Sequence, residues 1–444
     1  MISGLPLLLV IFLAIVFIVI SSSFWKIHPF ISLLLAAFGV GISVGMPLQE
    51  IITAINKGFG GLMGYIGLIV VFGSMIGIIL ERSGAAMRIA DLILKLVGKK
   101  RPALAMSIIG ATVSIPVFCD SGFIILSGLN KALAKKSTSK QATLALALAS
   151  GLYTTHTLIP PTPGPIAAAG NIGAGDYLGM VMMVGFIVAL PSALAGYFFA
   201  VKKGPTIHTD EAETSEKELS ELPPALQSIA PIIIPILLIA SASLIKFLNI
   251  ETDWTGWVLF MGHPLVALLI GLLLSFSLFR KWDSEHLTGW IGEGIKLAGP
   301  ILIITGAGGA FGGVLKATPI ADMVSNWVAD GQFSGSVFLI ISFSIAALLK
   351  TSQGSSTNAL VITSSMLAPL VVTMGFDTPF EMALIVMAIG GGAMTVSHAN
   401  DSYFWVVSQF SGIAMKDAYR SFTWMTGLQG IVVLMTTLLL YWLF

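Results

Sequence analysis

The chain has 444 residues, of which 56% are hydrophobic and only 10% charged, and its formal net charge is +1. Soluble domains carry about 25% charged residues, so a mean hydropathy of +0.93 lies far outside their range. The near-zero charge gives no footing for a nucleic-acid partner, and a single cysteine, Cys119, excludes an intramolecular disulfide.

Apolar runs fall near 5–24, 28–45, 62–80, 103–130, 141–176, 177–201, 226–248, 262–280, 297–316, 334–373, 379–411 and 422–444. A run of about 20 residues crosses roughly 30 Å of hydrocarbon as a helix. Ten-residue apolar/polar alternation, the mark of a β-barrel, is absent. The predicted fold is an all-α polytopic membrane protein surrounded by lipid bilayer. No Lys or Arg precedes the first run, so it reads as a retained span and not a secretory signal. Short loops and no transit peptide place the chain in a bacterial inner (cytoplasmic) membrane. The hydrophilic stretch 202–224 reads as a cytoplasmic linker between two halves, 1–201 and 225–444.

Lys and Arg set the sidedness. Arg82, Arg88, Lys95, Lys99, Lys100 and Arg101 precede the run at 103–130, and Lys131, Lys135, Lys136 and Lys140 follow it. With both clusters cytoplasmic, residues 103–134 enter and leave by one face as a re-entrant hairpin, tipped by "SIPVFCDSGF". Such backbone survives at membrane depth only when protein or water covers it. Continuing outward from that anchor makes 334–373 a second hairpin of opposite sense. About ten crossings result, with both termini periplasmic.

The halves repeat. "HPFISLLL" at His28 matches "HPLVALLI" at His263, an offset of 263 − 28 = 235, and Gly64, Gly73 and Gly77 meet Gly299, Gly308 and Gly312. At the same offset "CDSG" (119–122) meets "GSST" (354–357), and "PPTPGP" (160–165) meets "TVSHAN" (395–400). Inverted repeats of this kind place a substrate site at the midplane, between discontinuous helices.

Spans 141–176 and 379–411 are too long for one straight crossing. Each reads as a broken helix, interrupted by Pro160, Pro161, Pro163 and Pro165 in the first and by "SHAND" in the second. Unwinding exposes helix ends that attract anions. Neighbouring hydroxyls and amides match carboxylate and hydroxyl oxygens. The substrate contacts expected from this pattern are Ser121, Gly122, Thr155, His156, Thr157, Ser355, Ser356, Thr357, Asn358, His398 and Asn400. Asp120 and Asp401 lie where an ionised carboxylate costs about 2.5–3.5 kcal/mol. That burial favours the neutral acid and suits a proton carrier. The alternative is that these acids and histidines only bond broken helix ends. His28 and His263 read as interfacial helix caps, Glu381 as a first-turn acid, and "GAGGAFGGV" (306–314) as a close-packing surface. No spacing of metal ligands or of a Ser/His/Asp set stands out, and no cofactor is implied.

At "IPPTPGP" (159–165), "GGGAMTVSHANDSYFW" (390–405) and "VFCDSGFIIL" (117–126) the chain resembles the gluconate permease (gluconate:proton symporter) family of the ion transporter superfamily. The resemblance covers nearly the whole chain. It implies proton-driven uptake of a small carboxylate, gluconate or a related sugar acid. It also implies a homodimer with elevator-type alternating access and no enzymatic activity. The family's first hairpin often reads Phe-Phe-Glu-Val-Gly where this chain has Phe118-Cys119-Asp120-Ser121-Gly122, and its proline motif often has histidine in place of Thr162. The shorter acid and added hydroxyl make glycerate or a small amino acid an alternative substrate. Sodium coupling through the "SSTN" tip is the alternative to protons; a passive channel or a membrane-embedded enzyme fits the pattern less well.

Overall fold

The computed structural model describes residues 2–23, 25–97, 101–209, 222–248, 250, 252–279, 281–319, 335–399 and 401–444. Lys99, Lys100, the middle of the polar linker (210–221), the first residue of the second predicted hairpin (334) and Asn400 lie outside them.

The described chain is helical, apart from an isolated bridge between Thr209 and Ile413. Helices α1 (Leu5–Ser23), α2 (Pro29–Ser43), α3 (Leu48–Arg82) and α4 (Ala85–Val97) come first. The first predicted hairpin forms α5 (Pro102–Val113) and α6 (Cys119–Lys136), and the first broken helix forms α7 (Gln141–Leu158) and α8 (Pro163–Ile172). Then follow α9 (Leu178–Lys203), α10 (Ala225–Leu248), α11 (Thr255–Met261), α12 (Pro264–Ser275) and α13 (Ile291–Lys316). The second predicted hairpin forms α14 (Gly335–Gln353) and α15 (Ser356–Leu367), and the second broken helix forms α16 (Pro379–Met394) and α17 (Ser402–Ser411). The short α18 (Met415–Ala418) and α19 (Trp424–Leu443) close the chain.

Among the described residues seven helical stretches are long and apolar enough to span a membrane, or eight if the bent α11–α12 pair is one span. The architecture is therefore an all-α, multi-pass membrane protein. Exposed apolar side chains such as Phe12, Leu190, Phe198, Leu237 and Trp442 give α1, α9, α10 and α19 a greasy outer face suited to lipid.

Two helices predicted as short runs are longer. α3 begins at Leu48 and α13 at Ile291, not near 62 and 297; in the added turns Ile51 and Ile55 of α3 and Gly294 of α13 are buried, while Leu48, Gln49 and Glu50 are exposed. α3 and α13 run antiparallel in intimate contact: a Cβ on Gly294 would meet the Met75 backbone at 2.7 Å, and one on Gly313 the Ala54 carbonyl at 2.6 Å. Gly58 and Gly309 approach equally closely, so the Gly-rich stretch 306–314 serves close packing. The expected caps also form. His28 Nδ1 accepts the Phe30 amide and His263 Nδ1 the Leu265 amide, each at 3.3 Å. Glu381 completes a capping box with Thr378.

The broken helices occupy the centre. Every residue from Ala142 to Leu158 is buried, as is every residue from Ala383 to Met394. Hydrocarbon cannot satisfy the polar backbone freed at a break; at the second break, protein does. The Ser397 amide donates to Thr426 Oγ1 at 3.1 Å, and the Ser397 carbonyl accepts from Thr423 Oγ1 at 2.6 Å. Glycine lets the elements close up, since a Cβ on Gly110 or Gly151 would strike backbone across the α5–α7 contact.

Candidate functional site

Four segments converge in the interior: the turn between α5 and α6, the last turns of α7, the turn between α14 and α15, and the break before α17. Among the described residues, Lys350 and Asp401 are the lysine and the carboxylate fully buried in the protein, and they pair at 2.5 Å. Lys350 sits on the last turn of α14. Its ammonium also donates to the Gly354 carbonyl at 3.0 Å and lies 5.7 Å from the centre of the Tyr153 ring. Gly354 makes the turn with φ of +76°, a conformation open to glycine at little cost.

Asp401 caps α17. Oδ1 accepts the Tyr403 amide at 3.1 Å, and Oδ2 accepts the Ser397 hydroxyl. His398 Nε2 bonds the Thr351 carbonyl at 2.8 Å, a second tie between the α14 end and the break. From the opposite side Asp120, in the first turn of α6, faces the Ser402 hydroxyl. The His156 ring lies 5.4 Å from that of Phe118 at the α5–α6 turn, tilted by 50°, and Tyr153 faces Ser356.

Three atoms of this cluster are buried with no hydrogen-bond partner among the described residues: Asp120 Oδ1, Tyr153 Oη and His156 Nδ1. Buried polar atoms are almost always satisfied. Three orphans around one buried ion pair form a polar constellation ready for a hydroxylated anionic ligand.

The expected residues divide. Asp120, His156, Ser356, His398 and Asp401 join the cluster. Ser121 turns toward Glu81 on α3. Thr155 and Thr157 return their hydroxyls to the carbonyls of Gly151 and Tyr153 in their own helix. Ser355 caps α15 by accepting the Asn358 amide at 3.2 Å. Gly122 serves packing, since a Cβ there would meet Leu152 at 2.8 Å, and Thr357 packs against Gly164. Asn400 lies outside the described residues. Tyr153 and Lys350 carry no role in the sequence reading, which leaves anion binding to hydroxyls, amides and helix ends. The signal for Lys350 was its charge: an ionisable residue inside an apolar run marks function by default.

A cavity of about 870 Å³ lies elsewhere, between the first half of α3 and the second half of α13. Glu50, Lys57 and Lys316 line it and are exposed. It holds none of the cluster's orphaned atoms.

The sequence pattern of the family described as GntP family permease matches residues 5–443. An uncharacterized permease of Haemophilus influenzae is 34% identical over 92% of this chain and 87% of its own length. A gluconate permease of Pseudomonas aeruginosa is 30% identical over 94% and 93%. The solved YdaH transporter of Alcanivorax borkumensis shares the fold, with a TM-score of 0.67 at 14% identity over 93% of this chain and 98% of its own. The chain belongs to the GntP permease family, and it is a membrane transporter, not an enzyme.

Proposed function

We propose that this permease takes up a small hydroxylated monocarboxylate, gluconate or a near relative, together with protons, across the bacterial inner membrane. The observation that carries the reading is the buried acid–base cluster of Asp120, Lys350 and Asp401, with its orphaned atoms on Asp120, Tyr153 and His156. A cation, two titratable acids and spare hydrogen-bonding groups suit an anion with hydroxyls and a proton. The relative named a gluconate permease supports the substrate class.

Movement follows from internal symmetry. We take 1–201 and 225–444 as inverted repeats joined by the 202–224 linker. α3 and α13, which correspond at the 235-residue offset, run antiparallel, and equivalent histidines cap α2 and α12. The repeats differ in where their hairpins stand. Gly77 backs onto the Pro116 carbonyl at the α5–α6 tip; its counterpart Gly312 backs onto Ser365, which corresponds to Asn130 (365 − 235), far from the tip. Cys119 to Asn130 is 130 − 119 = 11 residues of helix, about 16 Å at 1.5 Å per residue. With the basic clusters cytoplasmic, this is an inward-facing arrangement. A mobile unit of both hairpins and both broken helices would travel about 16 Å outward as the two contact patterns exchange. The expected assembly is a homodimer, its fixed helices meeting in the membrane.

Uptake into proteoliposomes tests the reading. An inside-alkaline pH gradient in sodium-free buffer should concentrate labelled gluconate. Accumulation that requires sodium would replace the coupling ion, and conversion to another compound would overturn transport.

A further inference from the structure

The Lys350–Asp401 pair carries an inference that rests on the uptake reading and says how the acid is held. A buried ammonium is costly unless paired, and among the described residues Asp401 is the carboxylate in contact with Lys350. The two partners are anchored unequally. Asp401 has its own supports in the Tyr403 amide and the Ser397 hydroxyl, and keeps its place if Lys350 turns away. Apart from Asp401, Lys350 has a neutral carbonyl at 3.0 Å and the face of Tyr153 at 5.7 Å. It can therefore exchange one carboxylate for another at little cost in structure.

We propose that Lys350 takes the carboxylate of the transported acid, and that protonation of Asp401 frees it to do so. In the empty site the ammonium and the Asp401 carboxylate neutralise each other. A proton arriving on Asp401 leaves a neutral acid, still held by its backbone and hydroxyl partners, and an uncompensated ammonium. The incoming carboxylate restores the pair. The charges balance, +1 and −1 before and +1 and −1 after, so one proton and one monocarboxylate cross together with no net charge. On release the carboxylate leaves Lys350, Asp401 loses its proton and the original pair reforms. Among the described residues, the other titratable groups around Asp401 are Cys119 and Asp120 from α6, Tyr153 and His156 from α7, Tyr403 from its own helix, and His398 in the break, whose carbonyl accepts the Asp401 amide at 2.8 Å. Of these, Asp120, Tyr153 and His156 hold the orphaned atoms that hydroxyls on the acid would satisfy.

Gluconate binding to the purified full-length protein, measured calorimetrically between about pH 5.5 and about pH 8.5, tests the exchange. Binding requires the protonated acid, so the wild-type Kd should rise with pH, by at most about tenfold per pH unit. Asp401→Asn should bind with a Kd that no longer follows pH. Lys350→Gln should weaken binding by roughly tenfold to a hundredfold, the worth of a hydrogen bond to a charged group. The neutral pair Lys350→Gln/Asp401→Asn leaves no unpaired buried charge, so it should fold and share that loss, which separates lost ligation from misfolding. The proposal is overturned if Asp401→Asn keeps the wild-type pH profile, or if the neutral pair binds gluconate as the wild type does. A wild type whose Kd ignores pH overturns the exchange and leaves uptake standing. One that binds gluconate with the expected pH profile yet accumulates none under a pH gradient overturns uptake instead.

Discussion

Replacing Lys350 by methionine is expected to lower stability by about 3–5 kcal/mol, because it strands the Asp401 carboxylate in the interior. Asp401→Leu alone should cost a similar amount by stranding the ammonium. The double variant Lys350→Met/Asp401→Leu should recover most of the loss, since a buried ion pair often exchanges for apolar residues at little net cost. Thermal unfolding of the four proteins in one detergent gives the coupling directly. Strong non-additivity is the expected result; two losses that simply add would mean that the pair does not hold the site together. Recovered stability should not bring transport with it, because the double variant has no cation for the acid.

The glycines on α3 and α13 should push the transport cycle in opposite directions. A methyl group on Gly77 would meet the Pro116 carbonyl at 2.5 Å, whereas one on Gly312 would meet the Ser365 carbonyl at 3.4 Å, an ordinary contact. Under the proposed exchange of contact patterns, Gly312 would face the α14–α15 tip near Thr351 and become the tight position. Gly77→Ala should therefore favour the outward-facing state, and Gly312→Ala the inward-facing one. Overpacking of this kind costs about 1–3 kcal/mol, a shift in populations of roughly fivefold to a hundredfold. Spin labels at Lys57 on α3 and at the exposed Leu348 on α14, in a Cys119→Ser background, would report it as distance populations. Shifts of the same sign in both variants would contradict the exchange.

Much of this architecture is legible in the sequence because it is written in local chemistry. Pro160 to Pro165 and the turn residues around Gly354 mark interruptions of helix, and helices stop at both places. His28 and His263 announce caps because each stands immediately before a proline at a helix start. What escapes is set by long-range packing. The first turns of α3 are too polar to register as a span, yet Ile51 in them packs on Gly41 of α2, and Ala54 and Gly58 lie against Gly313 and Gly309 of α13. Thr155 and Thr157 are picked out by type, whereas only the fold shows that their helix remains regular to Leu158 and that their hydroxyls donate to its own carbonyls. The pairing of Lys350 with Asp401 joins residues 51 positions apart (401 − 350), and nothing local foretells it. The different neighbours of Gly77 (the Pro116 carbonyl) and Gly312 (the Ser365 carbonyl) cannot be read from sequence at all, since the two glycines match at the 235-residue offset.

The central claim is that the acid binds at the cluster joining the two hairpins and the two broken helices. A structure with gluconate bound, determined at acidic pH, tests it most directly. The acid should lie with its carboxylate at Lys350 and its hydroxyls among Asp120, Tyr153 and His156. Gluconate found instead in the 870 Å³ cavity, between Lys57 and Lys316, with the Lys350–Asp401 pair intact, would contradict it.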